Sequence, residues 1–137
     1  MSLFSIFNIA GAGMSAQSVR MNTVASNLAN SGNTASSPDK VYRPRLPVFQ
    51  TIMDRLNPGE ANLGVRVSAI VTSNQEPQRI YDPGNPLANK KGYVFKTTVN
   101  AIEEMTNMMS ASRSFQSNVE IMNTTKQLLL ATLRMGQ

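Results

Sequence analysis

The chain contains no cysteine, no histidine and no tryptophan. Without cysteine there can be no disulfide, thiolate nucleophile or zinc–thiolate site. Without histidine, the commonest metal ligand and the commonest general base at neutral pH are also missing. Only isolated hydroxyls and carboxylates remain, so the composition predicts no catalytic residues, no metal site, no cofactor and no small-molecule substrate.

Charge is scarce at both ends of the chain. The first 34 residues carry only Arg20, and the last 33 carry Arg113, Glu120, Lys126 and Arg134, whereas the other 16 of the 21 charges lie between residues 35 and 104. Helices that face water usually carry many lysines and glutamates. We therefore expect both ends to be surrounded by other protein in an assembly.

The start of the chain is apolar but does not match a secretory leader. No apolar run approaches the roughly 20 residues that cross a bilayer. Residues 1–16 lack the positive segment that opens a signal peptide, since no lysine or arginine precedes Arg20. We expect that any export of this chain uses a route without a cleaved signal peptide.

Apolar residues recur at heptad spacing at both ends. Seven of eight positions in the first stripe are apolar, as are eight of ten in the second. This spacing predicts a left-handed seam between helices. We expect its apolar members to pack between subunits: Leu3, Phe7, Ala10, Met14, Met21, Val24, Leu28, Ala101, Met105, Met108, Phe115, Val119, Met122, Leu129 and Leu133.

The middle of the chain has the punctuation of short strands and turns. Val48–Met53 and the alternating Leu63–Val71 are predicted to form paired strands, with a turn at Asn57-Pro58-Gly59. Tyr81–Pro86 has too many turn residues for regular structure, and residues 92–96 are expected to be extended. Asn100 with Glu103 three residues later resembles a capping box, and Glu104 is interpreted as a first-turn charge favoured by the helix dipole.

These elements predict an α+β fold. Long N- and C-terminal helices would form a coiled-coil-like hairpin, with a small β-rich and loop insert between them. The predicted parts are an N-terminal helix of the assembly core in residues 1–34, the insert in 35–96 and a C-terminal helix of that core in 97–137.

One glycine motif could suggest a nucleotide cofactor. Gly11–Ala16 matches the pattern G-x-G-x-x-A, which needs a preceding strand and an acidic residue about 20 positions later. Here the motif lies inside the first heptad stripe, and the first acidic residue is Asp39. We interpret the glycines as sites of close helix packing or of a local bend.

Ser26-Asn27-Leu28-Ala29-Asn30, followed by Tyr42-Arg43, resembles the N-terminal signature of bacterial flagellar axial proteins. That family comprises rod, hook and hook-associated proteins. Three further segments resemble its basal-body rod members: Tyr81–Ala88 with Lys91–Val94, Met109–Glu120 and Leu133–Gln137.

The resemblance implies a structural subunit of the proximal rod, the drive shaft that crosses the periplasm. It implies export by the flagellar type III apparatus and helical assembly with other proximal and distal rod proteins. The membrane-ring junction protein would be a further partner. The terminal helices would form an inner tube around the export channel and transmit torque, with the insert outside.

Two alternatives remain open at this stage. A secretion-system needle or filament subunit would use the same stripes, although the block from Tyr81 to Val94 argues against it. A basic nucleic-acid-binding module would use the net charge of +5. The thirteen basic residues are scattered, however, and an ordinary solvated basic surface explains them better.

Overall fold

A computed structural model describes residues 3–52 and 64–135. Two long helices enclose five strands in chain order. The elements are α1 (Leu3–Ala29), β1 (Thr34–Ala35), β2 (Arg45–Ile52), β3 (Gly64–Thr72), β4 (Gln78–Tyr81), β5 (Tyr93–Lys96) and α2 (Ala101–Met135). The fold is therefore α+β.

The strands form two separate antiparallel sheets. β2 and β3 make a hairpin with Arg45 opposite Thr72 and Ile52 opposite Gly64, interrupted by a bulge at Val48 and Phe49. This pairing confirms the prediction for the two strands, while the predicted turn at Asn57-Pro58-Gly59 lies outside the described residues. The second sheet has the order β1-β5-β4.

The second sheet was only partly predicted. β5 falls in the stretch expected to be extended, but β1 and β4 were not foreseen, and Tyr81 ends β4 rather than opening an irregular turn. Tyr81 packs edge-on against Tyr93, with ring centres 5.1 Å apart. Glycine at position 92 leaves room for the Tyr81 ring, because a Cβ at this residue (φ +79°) would lie 2.9 Å from that ring.

α1 and α2 run antiparallel and meet through small or polar side chains. Asn27 bonds Glu104 and Arg20 bonds Asn107. Nearer the start of α1, a Cβ on Gly13 would lie 2.8 Å from the side chain of Asn118. The other flank of α1 faces the hairpin, where Ala12, Ala16 and Val19 line a cleft with Ile52, Val65 and Val67.

The prediction of a coiled-coil-like hairpin is therefore wrong. None of the residues in the contacts Asn27–Glu104, Arg20–Asn107 and Gly13–Asn118 belongs to a predicted heptad stripe. Of the stripe residues only Ala10 and Val24 are buried in the described chain, and the contacts that set the helix register fall one residue before stripe positions. The physical reason is that α1 packs against two partners, so its apolar surface is divided between α2 and the hairpin rather than concentrated in one seam.

The cap predicted for α2 is present. Asn100 Oδ1 accepts a hydrogen bond of 3.1 Å from the backbone N–H of Ile102, and the Asn100 carbonyl accepts one from Glu104. An asparagine in this place satisfies a donor that the first turn leaves unpaired.

A substitution at Gly64 tests how closely the hairpin packs against α1. Its φ of +128° is unfavourable for any other residue, and an added Cβ would lie 2.9 Å from the Cβ of Ala12, which cannot rotate away. We expect Gly64→Ala to lower the free energy of unfolding by about 1–3 kcal/mol. Thermal unfolding followed by circular dichroism measures this.

Gly11→Ala is the matched control for that substitution. Gly11 lies within α1, and a Cβ added there would meet nothing within 4 Å. Alanine is the better helix former, so this variant should be about 0.5–1 kcal/mol more stable than the wild type. Equal effects from both variants would contradict the packing described here.

Candidate functional site

Asn27 is the centre of a polar cluster at the end of α1. Its side chain is only 1% exposed. The Nδ2 group donates to the carbonyl of Arg45 at 2.9 Å and to Glu104 Oε2 at 3.0 Å. The Oδ1 atom accepts from the Tyr42 hydroxyl at 2.8 Å and from the N–H of Arg45 at 2.9 Å. Both donors and both lone pairs of the amide are used.

Tyr42 holds the loop that joins α1 to the hairpin. Its N–H donates to Asn33 Oδ1 at 3.1 Å, and its hydroxyl lies 3.3 Å from Ser26 Oγ. The carbonyl of Asn33 in turn accepts from the N–H of Thr97, which comes just before α2. Hydrogen bonds thus connect the loop to α1 and to the segment just before α2.

Glu104 brings α2 into the same cluster. It is 8% exposed, and its Oε1 atom accepts a long hydrogen bond of 3.4 Å from Asn107 Nδ2. Asn107 Oδ1 accepts from Arg20 Nη2 at 3.2 Å. An amide therefore stands between the only charge in the first 34 residues and the buried carboxylate. We call Arg20, Asn27, Tyr42, Arg45, Glu104 and Asn107 the Asn27 cluster.

The family motif lies partly inside this cluster. Asn27 and Tyr42 are members, and Asn30 donates from Nδ2 to the carbonyl of Ser26 at 2.8 Å. Leu28 and Arg43 are half-buried and Ala29 is exposed. Val41, next to Tyr42, is 5% exposed and belongs to the core.

Sequence reasoning missed the residues from α2 and the hairpin. Glu104 was interpreted only as a first-turn charge favoured by the helix dipole, whereas its carboxylate is also buried against Asn27. Arg20 offered a signal, since a lone charge in a neutral helix usually has a specific partner. For Arg45, nothing in the sequence indicates that its backbone rather than its side chain meets Asn27.

The predicted subunit-packing residues differ widely in burial within the single chain. Ala10 and Val24 are buried, while Met105 and Leu133 are 53% and 66% exposed. The side chain of Leu3 lies outside what the structure describes. The others are half-buried: Phe7, Met14, Met21, Leu28, Ala101, Met108, Phe115, Val119, Met122 and Leu129.

A large share of the exposed apolar surface belongs to α2. Near its start, Ile102, Met105 and Met109 are 77%, 53% and 57% exposed. We call these three residues the Ile102 patch. Exposed apolar residues continue along the second half of the helix: Ile121, Leu128, Leu130, Leu133 and Met135. Apolar surface of this extent is typical of a protein interface.

The described ranges were also compared with the patterns of a metal-ligand cluster and of a membrane-spanning helix. Within residues 3–52 and 64–135, no three acidic residues come together as possible metal ligands. Neither described helix has the length and apolarity needed to cross a bilayer.

Comparison with known proteins decides the family. The model of the flagella basal body rod protein matches residues 7–35, and that of the flagellar basal body rod FlgEFG protein C-terminal matches residues 90–135. Flagellar basal-body rod proteins FlgC from Yersinia enterocolitica, Escherichia coli O6:H1 and Salmonella typhimurium are 47%, 46% and 44% identical over 137 residues, covering 100% of both chains. The chain belongs to the FlgC family.

The two matched regions of this FlgC-family chain meet in the Asn27 cluster. Asn27 lies in the first region and Glu104 in the second, and their side chains are joined at 3.0 Å. Between the two regions, the connecting loop supplies Tyr42 and the start of β2 supplies Arg45. The cluster therefore joins the N-terminal and C-terminal regions of the chain by hydrogen bonds.

Asn27→Ala tests the importance of this cluster. The change leaves the Arg45 backbone groups, the Tyr42 hydroxyl and Glu104 without their buried partner. We expect the free energy of unfolding to fall by about 2–4 kcal/mol, since each unsatisfied buried group costs about 1–3 kcal/mol and some will regain water. Urea unfolding at neutral pH measures the loss.

Asn22→Ala is the control in the same helix. Asn22 is exposed, so this change should alter the free energy of unfolding by less than about 0.5 kcal/mol. Similar losses for the two variants would mean that the buried hydrogen bonds of Asn27 do not account for its effect on stability.

Proposed function

We propose that this chain, a structural subunit of the flagellar rod in the basal body, forms part of the proximal rod. In this proposal it is not an enzyme, and its role is to assemble helically with other rod proteins, transmit torque and enclose an export channel. The terminal helices form the assembly core and the insert lies outside. The FlgC-family relatives support the rod assignment.

The observation that carries the assembly role is the exposed apolar surface of α2. Ile102 and Met109 are among its most exposed members, although a helix in water normally turns such residues inward. Keeping these side chains in solvent costs free energy that burial against another subunit would recover. The scarcity of charge in α1 and along the last part of α2 favours the same use.

The mechanical part of the proposal rests on the two long helices. At 35 residues, α2 is about 52 Å long at 1.5 Å per residue. The pairs Asn27–Glu104 and Arg20–Asn107 join it to α1 near one end, and Gly13 meets Asn118 farther along. These contacts oppose axial sliding of one helix past the other, which suits a part under torsional load.

The proposed partners are the other proximal and distal rod proteins and the membrane-ring junction protein. The flagellar type III apparatus would export the chain to the rod across the periplasm. The insert offers a separate surface for such contacts, since Leu46, Ile70 and Val71 of the hairpin are 50%, 51% and 45% exposed.

Met105→Asp tests the assembly role without disturbing the fold. Met105 is 53% exposed in the single chain, so the monomer should keep its free energy of unfolding to within about 0.5 kcal/mol. In an assembled rod the new carboxylate would be buried without a partner, at a cost of several kcal/mol. We expect at least a tenfold loss of the tagged chain from purified basal bodies and a loss of swarming.

Met105→Leu is the matched control, because leucine keeps the apolar surface. It should enter basal bodies at close to the wild-type level when it replaces the native copy. Normal rods and swarming with Met105→Asp would exclude this face of α2 from the subunit interface.

A further inference from the structure

A groove lies between the start of α1 and the second half of α2. It has a volume of about 450 Å³. Its walls are apolar or hydroxyl-bearing except for one acid, and they are formed by Ile6, Ser117, Glu120, Ile121, Thr124 and Thr125. Glu120 is exposed and makes no ion pair with any residue in the described ranges. We call this feature the Glu120 groove.

The end of α2 is exposed and apolar, which complements the apolar walls of the groove. In the antiparallel pairing, Asn27 lies beside Glu104 and Gly13 beside Asn118, so the start of α1 at Leu3 lies about level with Leu128. Residues 129–135 therefore extend past α1, and we call them the α2 overhang. Leu130, Leu133 and Met135 are 46%, 66% and 80% exposed there.

The charges of the two features also match. The overhang carries Arg134, which is exposed and makes no ion pair within the described part of the chain. The groove carries Glu120 beside Ile121, whose side chain is 44% exposed. An aliphatic side chain from the overhang would cover Ile121 while Arg134 approaches Glu120.

The two features cannot meet within one molecule. Ile121 and Leu133 lie on the same continuous helix, 12 residues apart, which is about 18 Å along its axis. A rigid helix cannot fold back over this distance. The overhang must therefore find its groove on a different molecule, and a second copy of this chain carries one.

We propose that the α2 overhang of one copy docks in the Glu120 groove of the next. Each copy then gives an overhang and receives one, which makes the contact heterologous and able to propagate from copy to copy. The proposal rests on the rod function above and adds the surfaces by which identical subunits join. It also accounts for the exposed end of α2, which the described residues 3–52 and 64–135 leave uncovered.

The absence of cysteine makes the contact testable by cross-linking. The double variant Ile121→Cys/Leu133→Cys would be produced in place of the native copy, and purified basal bodies would be oxidised. A disulfide forms only when the two Cα atoms approach to about 4.4–6.8 Å. We expect a ladder of dimers and higher multimers, because each chain carries both halves of the contact.

Three controls define the result. Ile121→Cys alone and Leu133→Cys alone should each give no ladder. The pair Ile102→Cys/Leu133→Cys should also give none, although Ile102 is 77% exposed and therefore more accessible than Ile121. A ladder from the Ile102 pair as strong as that from the Ile121 pair would overturn the assignment.

Charge reversal gives an independent measurement in the same double-cysteine background. Glu120→Arg or Arg134→Glu should each reduce the cross-linked fraction by about three- to tenfold, since attraction becomes repulsion across the contact. The two reversals together should restore it. Equal losses in the single and combined variants would overturn the proposed pairing of these charges.

The outcomes also separate this contact from the rod function. Variant chain present in basal bodies but not cross-linked would overturn the docking and leave the rod assignment intact. Cross-links from either cysteine to a different rod protein would overturn the choice of a second copy. Absence of the wild-type chain from basal bodies would instead reject the rod function itself.

Discussion

Asn27 makes the hydrogen bonds on which the arrangement of this chain depends. Its buried amide joins the end of α1 to the backbone of Arg45 at the start of β2, to Tyr42 in the connecting loop and to Glu104 in α2. A satisfied buried amide contributes modestly, but an unsatisfied one costs about 1–3 kcal/mol for each group. Other positions of the loop or of α2 would leave these groups unpaired, so the cluster selects one arrangement.

The rest of the core is built from small side chains. Ala10, Ala16 and Ala111 are at most 3% exposed, and Asn27 is the largest side chain that is fully buried. Small residues let α1 approach both α2 and the hairpin closely, but they bury little apolar area. Many large apolar residues of α2 are exposed to solvent. The chain therefore has a small apolar core and an extensive apolar surface for association.

Local patterns predicted most elements but not the way in which they pack. Asn100 as a helix cap and the pairing of β2 with β3 follow from short-range chemistry visible in the sequence. The heptad stripes led to an incorrect coiled-coil-like hairpin, because periodicity shows that a helix has an apolar face and does not show how many partners share it. Glu104 was missed for a related reason, since a buried carboxylate depends on an asparagine 77 residues away.

The polar contacts between the helices also fix their register more sharply than apolar contacts would. Apolar side chains tolerate small shifts, whereas a change of register that placed the next residue of α2 opposite Asn27 would turn Glu104 away by about 100°. The same displacement would separate Arg20 from Asn107. In a rod subunit this property would keep the two helices in register under load. The amide side chains of the cluster thus fix one register of the two helices and oppose their sliding, in a core with little apolar area.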